Sequence, residues 1–274
     1  MKLVGFYADS SNVGKRTVSQ ALAKVAAEHK YKTLYVELDY LRPSFYTTTG
    51  ITHTYKNAFM YLDKVINKGQ FEVEPNILKR DEIDISNKIL LDQIRRLPGS
   101  LNYLVFHNEY IVENFPSIED RPDPAIYAKE LCEKFAQHLR FLSYDLVVIS
   151  LPTPIDNMFT LPMMLQLDHV VHLVTPNLTR IREFQNSEQI LANLTNQDHI
   201  RVLNMLPQGM EEEIFLDQLP NLDLAISYDE KLLPEQLELK IGSEKIDREV
   251  IKLLNRMDVH IADAKKSKRI FSLR

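Results

Sequence analysis

With 274 residues, of which 45% are hydrophobic and 26% charged, the chain is long enough for one large α/β domain or two small ones. Its ordinary globular composition excludes a disordered or fibrous protein. A formal net charge of -5 makes nucleic acid an unexpected partner, so contact with a polyanion or acidic lipid would have to come from a local patch. The single cysteine, Cys132, excludes an internal disulfide framework and a Cys-rich zinc site and fits a reducing cytoplasm.

Short apolar runs alternate with longer helical patterns along the chain, which marks a parallel sheet covered by helices. The first predicted strand, 2–7, is too short an apolar run for a signal segment, and no stretch reaches the roughly 18 apolar residues of a spanning helix, so a soluble protein is expected. Strands follow at 33–38, 101–106, 146–151, 169–175, 200–205 and 222–226. Helical patterns fall at 15–29, 55–68, 86–97, 124–142, 180–194, 211–218 and 244–257. Continuous runs such as Leu146, Val147, Val148 and Ile149 suit strands buried on both faces. The expectation is a doubly wound, mostly parallel sheet of seven to eight strands with helices on both faces. One domain over 1–260 and a C-terminal tail over 261–274 account for the chain.

The turn after the first strand reads Asp9, Ser10, Ser11, Asn12, Val13, Gly14, Lys15, Arg16, Thr17. Backbone N–H groups at a helix start cradle phosphate oxygens, and a lysine in such a loop reaches the terminal phosphates. The pattern G-x-x-x-x-G-K-[ST] is met only in part. Asp9 stands at the first glycine position, and Arg16 stands where a hydroxyl would hold magnesium. Thr17 points about 100° further round the helix and is no simple replacement.

In this frame the chain resembles the ParA/MinD group of deviant Walker ATPases, which includes the pilus- and secretion-localising branch called CpaE or TadZ. The family loop K-G-G-V-G-K-T-T aligns with Ser10 to Thr17. The stretch from Tyr35 to Asp39 is similar to the second-strand D-x-D segment, and that from Tyr144 to Pro152 is similar to Y-D-x-x-x-x-D-x-P. Further along, His172 to Pro176, Arg201 to Asn204 and Ile226 to Asp229 resemble later segments in the correct order. The resemblance implies a P-loop NTPase-like fold, ATP or ADP as cofactor, and a nucleotide site made by Ser11, Asn12, Val13, Gly14, Lys15, Arg16 and Thr17, with Asn204 at the adenine and Asp39 in the catalytic position.

The departures point to a degenerate member. The family's signature lysine aligns with Ser10, its two flexible glycines with Ser11 and Asn12, the magnesium-binding hydroxyl with Arg16, and the Walker B aspartate with Ser150. Two supports for magnesium are lost together, so weak or absent magnesium binding and negligible hydrolysis are expected, with no residue assigned as a metal ligand. Lys15 reads either as a phosphate ligand or as a solvated helix-start lysine, and Asp39 and Asn204 as site residues or as a cap and a strand end. Arg16 reads as a surface residue or as a guanidinium standing in for magnesium charge.

Three functions follow from this reading. The first is a pseudo-ATPase acting as spatial organiser of a membrane-associated secretion, pilus or conjugation machine; the others are an active Mg-dependent partitioning ATPase and a nucleotide-independent adaptor. A homodimer that needs no nucleotide and protein partners of a larger machine are expected. The tail from Lys265 to Arg274 joins a basic cluster to Ile270, Phe271 and Leu273. It reads either as a weak anchor at the inner face of the membrane or as a solvated end. The aromatic residues between Tyr40 and Tyr61 and the methionines Met158, Met163 and Met164 read as core rather than as a partner surface.

Overall fold

The computed structural model describes residues 1–83, 85, 88–153, 155, 157–194 and 197–261, and the tail from Lys265 lies outside the described residues. Seven strands form one sheet: β1 (Lys2–Tyr7), β2 (Thr33–Glu37), β3 (Leu101–Leu104), β4 (Leu146–Ser150), β5 (His169–Val174), β6 (Asp198–Leu206) and β7 (Leu224–Ser227). The order is β3-β2-β4-β1-β5-β6-β7, and every neighbouring pair is parallel. β2 and β4 are buried at every position, which is why their central runs, Leu34 to Val36 and Leu146 to Ile149, are apolar without alternation.

Nine helices connect the strands among the described residues: α1 (Lys15–Glu28), α2 (Phe45–Thr49), α3 (Ala58–Lys68), α4 (Lys88–Arg96), α5 (Pro124–Phe141), α6 (Thr160–Met164), α7 (Leu178–Leu194), α8 (Leu232–Leu237) and α9 (Glu244–Arg256). Successive strand side chains point to opposite faces and divide the core in two. Val4, Phe6, Leu146 and Val148 pack with α1 and α9, while Leu3, Tyr7, Val147 and Ile149 pack with α3, α5 and α6. Because all strands run one way, the carboxyl ends of β1, β2 and β4 open on the same side, where ligands of open α/β sheets bind.

The structure adjusts several sequence expectations. The helix expected over 55–68 starts at Ala58, because Asn57 accepts the Met60 N–H as cap while His53 Nδ1 takes the N–H groups of Tyr55 and Lys56. The pattern over 211–218 condenses to a short 3₁₀ turn at Glu212–Phe215. Only Phe215 and Leu219 find apolar partners there, and Ile214 and Leu216 are exposed. The short helices α2, α6 and α8 were not expected. Phe45, Tyr61, Met163 and Met164 are buried, as a core reading requires, while Tyr55 is exposed. Among the described residues no helix is long and apolar enough to cross a membrane.

Candidate functional site

The loop between β1 and α1 encloses a cavity of about 260 Å³ together with the ends of β2 and β4. Ser11, Asn12, Val13, Gly14, Lys15, Arg16, Thr17 and Asp39 all line it, so the structure brings eight of the nine sequence-nominated residues to one place. The loop turns through two left-handed residues, Asn12 at φ 62° and Gly14 at φ 81°. Asparagine tolerates that region and glycine is free in it. Gly14 is also required by space, since a Cβ there would lie 2.2 Å from Asn204 Nδ2. No side chain caps the start of α1, so its first N–H groups are left for a ligand.

Asn204, the ninth nominated residue, lies behind the loop. It is buried, and its Nδ2 donates to the Val13 carbonyl at 2.7 Å, which makes it a brace of the loop. Its neighbour Met205, at φ 60° where β6 breaks register, lines the cavity instead. Sequence reasoning missed Met205, Arg42, Ser44, Thr48 and Thr153, all of which line the cavity. They come from a strand end, connecting loops and the short helix α2, where no periodicity marks them.

Lys15 is buried at 6% exposure and fully engaged. Its Nζ lies 3.1 Å from Asp39 Oδ2 and 3.0 Å from Thr153 Oγ1, and it also donates to the Leu151 carbonyl. Burial pushes the ammonium pKa below its usual range, against the opposing charge of Asp39. Asp39 is 2% exposed, and its Oδ1 has no hydrogen-bond partner. One layer deeper, Glu37 accepts the N–H groups of Ser44 and Phe45 on Oε1 and that of Phe106 on Oε2. Burial raises its pKa to about 7, with those N–H groups and Arg16 pulling the other way. Glu37 therefore ties the segment carrying Arg42 and Ser44 to the end of β2.

Asp9 is the second anchor of the loop. Its carboxylate pairs with His172 Nε2 on β5 at 2.6 Å, accepts the Tyr7 hydroxyl at 2.8 Å and accepts the Ser187 hydroxyl from α7. Burial alone would raise the Asp9 pKa, but the His172 bond and charge together with the two hydroxyls outweigh it and hold the pKa low. A second strap runs from the same helix, with Arg180 Nη1 donating to Thr175 Oγ1 at 3.2 Å and to the Asn12 carbonyl at 3.4 Å. A carboxylate thus replaces the missing glycine by fastening the loop rather than by freeing it.

Magnesium requires oxygen donors in near-octahedral array. At the two positions that would supply them stand Arg16, which is coupled electrostatically to Lys15 and Glu37, and Ser150, which is 1% exposed and sits beside the Tyr35 hydroxyl. The remaining carboxylate, Asp39, is already paired with an ammonium. Neither Arg16 nor the buried Ser150 offers magnesium an oxygen open to the cavity. Phosphate is better matched, because the uncapped start of α1 is joined by Arg16 and Arg42 around a single cavity carboxylate, with Lys15 held by Asp39, Thr153 and the Leu151 carbonyl.

A seven-stranded parallel sheet with a phosphate-type loop after its first strand is the P-loop NTPase fold of the MinD and ParA ATPases. Among solved structures, the MinD cell division protein of Aquifex aeolicus matches with a TM-score of 0.67 at 16% identity, over 96% of this chain and 99% of that one. A putative plasmid partition protein of Borrelia burgdorferi B31 bound to AMPPNP matches with a TM-score of 0.67 at 17% identity, over 95% and 99%. The septum site-determining protein MinD of Pyrococcus horikoshii OT3, complexed with Mg-ADP, matches with a TM-score of 0.67 at 15% identity, over 94% and 96%. No protein-family model and no curated protein matches the chain.

Proposed function

We propose that this chain is a positioning protein of the MinD/ParA kind that organises a membrane-associated secretion, pilus or conjugation machine and hydrolyses ATP slowly or not at all. The observation that carries the proposal is the state of the metal position: a guanidinium at Arg16, a buried hydroxyl at Ser150, and an Asp39 carboxylate committed to Lys15. Phosphoryl transfer depends on stabilising charge that develops on the transferred group, and loss of such parts costs orders of magnitude in rate. The similar folds belong to a cell division protein and a plasmid partition protein, which supports a role in placing other molecules. A homodimer formed without nucleotide, and peripheral membrane contact through the tail, belong to the same proposal.

Steady-state phosphate release at saturating ATP and magnesium tests it. The expected result is no release above that of a chain carrying Lys15→Met and Asp39→Leu together. Turnover that this double substitution abolishes would instead support an active partitioning ATPase.

A further inference from the structure

The cavity holds three cations, but only two of them are available to a ligand. An ammonium has three donors, and those of Lys15 go to Asp39, Thr153 and the Leu151 carbonyl. Arg16 and Arg42 both line the cavity, together with the uncapped start of α1. A divalent cation at Asp39 Oδ1 would sit beside the Lys15 ammonium and close to the Arg16 guanidinium, where like charges oppose it. That oxygen is buried and has no partner, and as an acceptor it gives no hold on an anion, which leaves the arginines and the loop N–H groups to do so.

We propose that this cavity binds a diphosphate-containing anion in its metal-free form, held by the loop N–H groups with Arg16 and Arg42, while Lys15 remains a structural partner of Asp39. The proposal rests on reading the cavity as a phosphate site, and it deepens that reading by exchanging the cation that does the holding. Guanidinium groups suit the task, since each presents a planar fork of donors to phosphate oxygens and carries its charge at any physiological pH. The shared chemistry is the diphosphate group, whether from a nucleotide or from an inorganic anion.

Calorimetric titration of the full chain with ADP, ATP and pyrophosphate, each in EDTA and in excess magnesium, is the test. Binding in EDTA is expected to be as tight as in magnesium or tighter. Arg42→Ala and Arg16→Ala are each expected to weaken it by about tenfold to a hundredfold, and Lys15→Met with Asp39→Leu by no more than about threefold. Arg42 is exposed, so Arg42→Ala reads binding without disturbing the fold, and its melting temperature should match that of the parent. Tighter binding of ADP than of pyrophosphate identifies a nucleotide as the source, and equal affinity identifies the inorganic anion. Binding that needs magnesium, binding that survives both arginine substitutions, or no binding by any probe overturns the proposal. Magnesium-dependent binding without phosphate release would overturn this assignment while leaving the proposed function standing, and binding in EDTA by way of the arginines together with phosphate release in magnesium would do the reverse.

Discussion

Replacing Lys15 with methionine separates a structural lysine from a phosphate-binding one. Methionine keeps the length of the side chain and removes its charge. Asp39, at 2% exposure, then becomes a buried carboxylate without its cation, while the Leu151 carbonyl and Thr153 Oγ1 each lose a donor. Breaking a buried pair from one side costs about 3–5 kcal/mol. In a chain of this size that corresponds to a fall of about 10 °C in melting temperature. Replacing both partners, with Lys15→Met and Asp39→Leu, removes the orphaned charge and should recover most of the loss, so a double-mutant cycle should show coupling of about 2 kcal/mol or more. Urea unfolding of the four chains, followed by circular dichroism, measures this. If Lys15→Met leaves the midpoint where it was, Lys15 is not held as described and the argument for arginine-held phosphate loses its basis.

Other outcomes follow from the same geometry. Glu37 titrates near 7 in the folded chain against an ordinary value of 4.5, so the folded state binds more protons between those values. Stability should therefore fall as pH rises from about 4.5 to 7 by on the order of 3 kcal/mol and level off above, and Glu37→Gln should flatten that slope in urea titrations. Asp247, raised to about 6 by burial, adds in the same direction over its own range. Gly14→Ala should destabilise by at least about 1–2 kcal/mol from its left-handed backbone alone, with the Asn204 clash added, as thermal melting would show. Asp9→Asn should speed amide exchange in the loop from Ser10 to Gly14, because it weakens the strap to His172; unchanged exchange would count against Asp9 as an anchor. Whatever affinity the chain has for anionic liposomes should reside in residues 265–274 and fall with salt without vanishing, which co-sedimentation of full and truncated chains can check.

Much of the sheet was legible because its strands are buried on both faces and so spell themselves as unbroken runs, as in Leu146 to Ile149. Strand ends were less so: β6 runs from Asp198 to Leu206, beyond its apolar centre, because pairing with β5 extends over His169 and Val170. The phosphate-type loop was legible from Gly14 and Lys15, yet the orientation of Lys15 was not. Its partners are a backbone carbonyl at Leu151 and a loop threonine at Thr153, neither of which carries a sequence signal. Asp9 looked like a mere loss of glycine, although a histidine in the apolar run of β5 hints at a buried acid partner; the contact joins residues 163 positions apart. Asn204 was found by resemblance, but its role as a brace depends on the missing Cβ of Gly14, which only the packed structure reveals.

The claim at the centre of this account is that the cavity does not carry out phosphoryl transfer. A single-turnover experiment tests it most directly: the full chain in excess over radiolabelled ATP, with magnesium, incubated overnight and resolved by chromatography. The account predicts that the label is recovered as ATP, with no more ADP than in buffer alone. Conversion to ADP that Lys15→Met with Asp39→Leu prevents would contradict it.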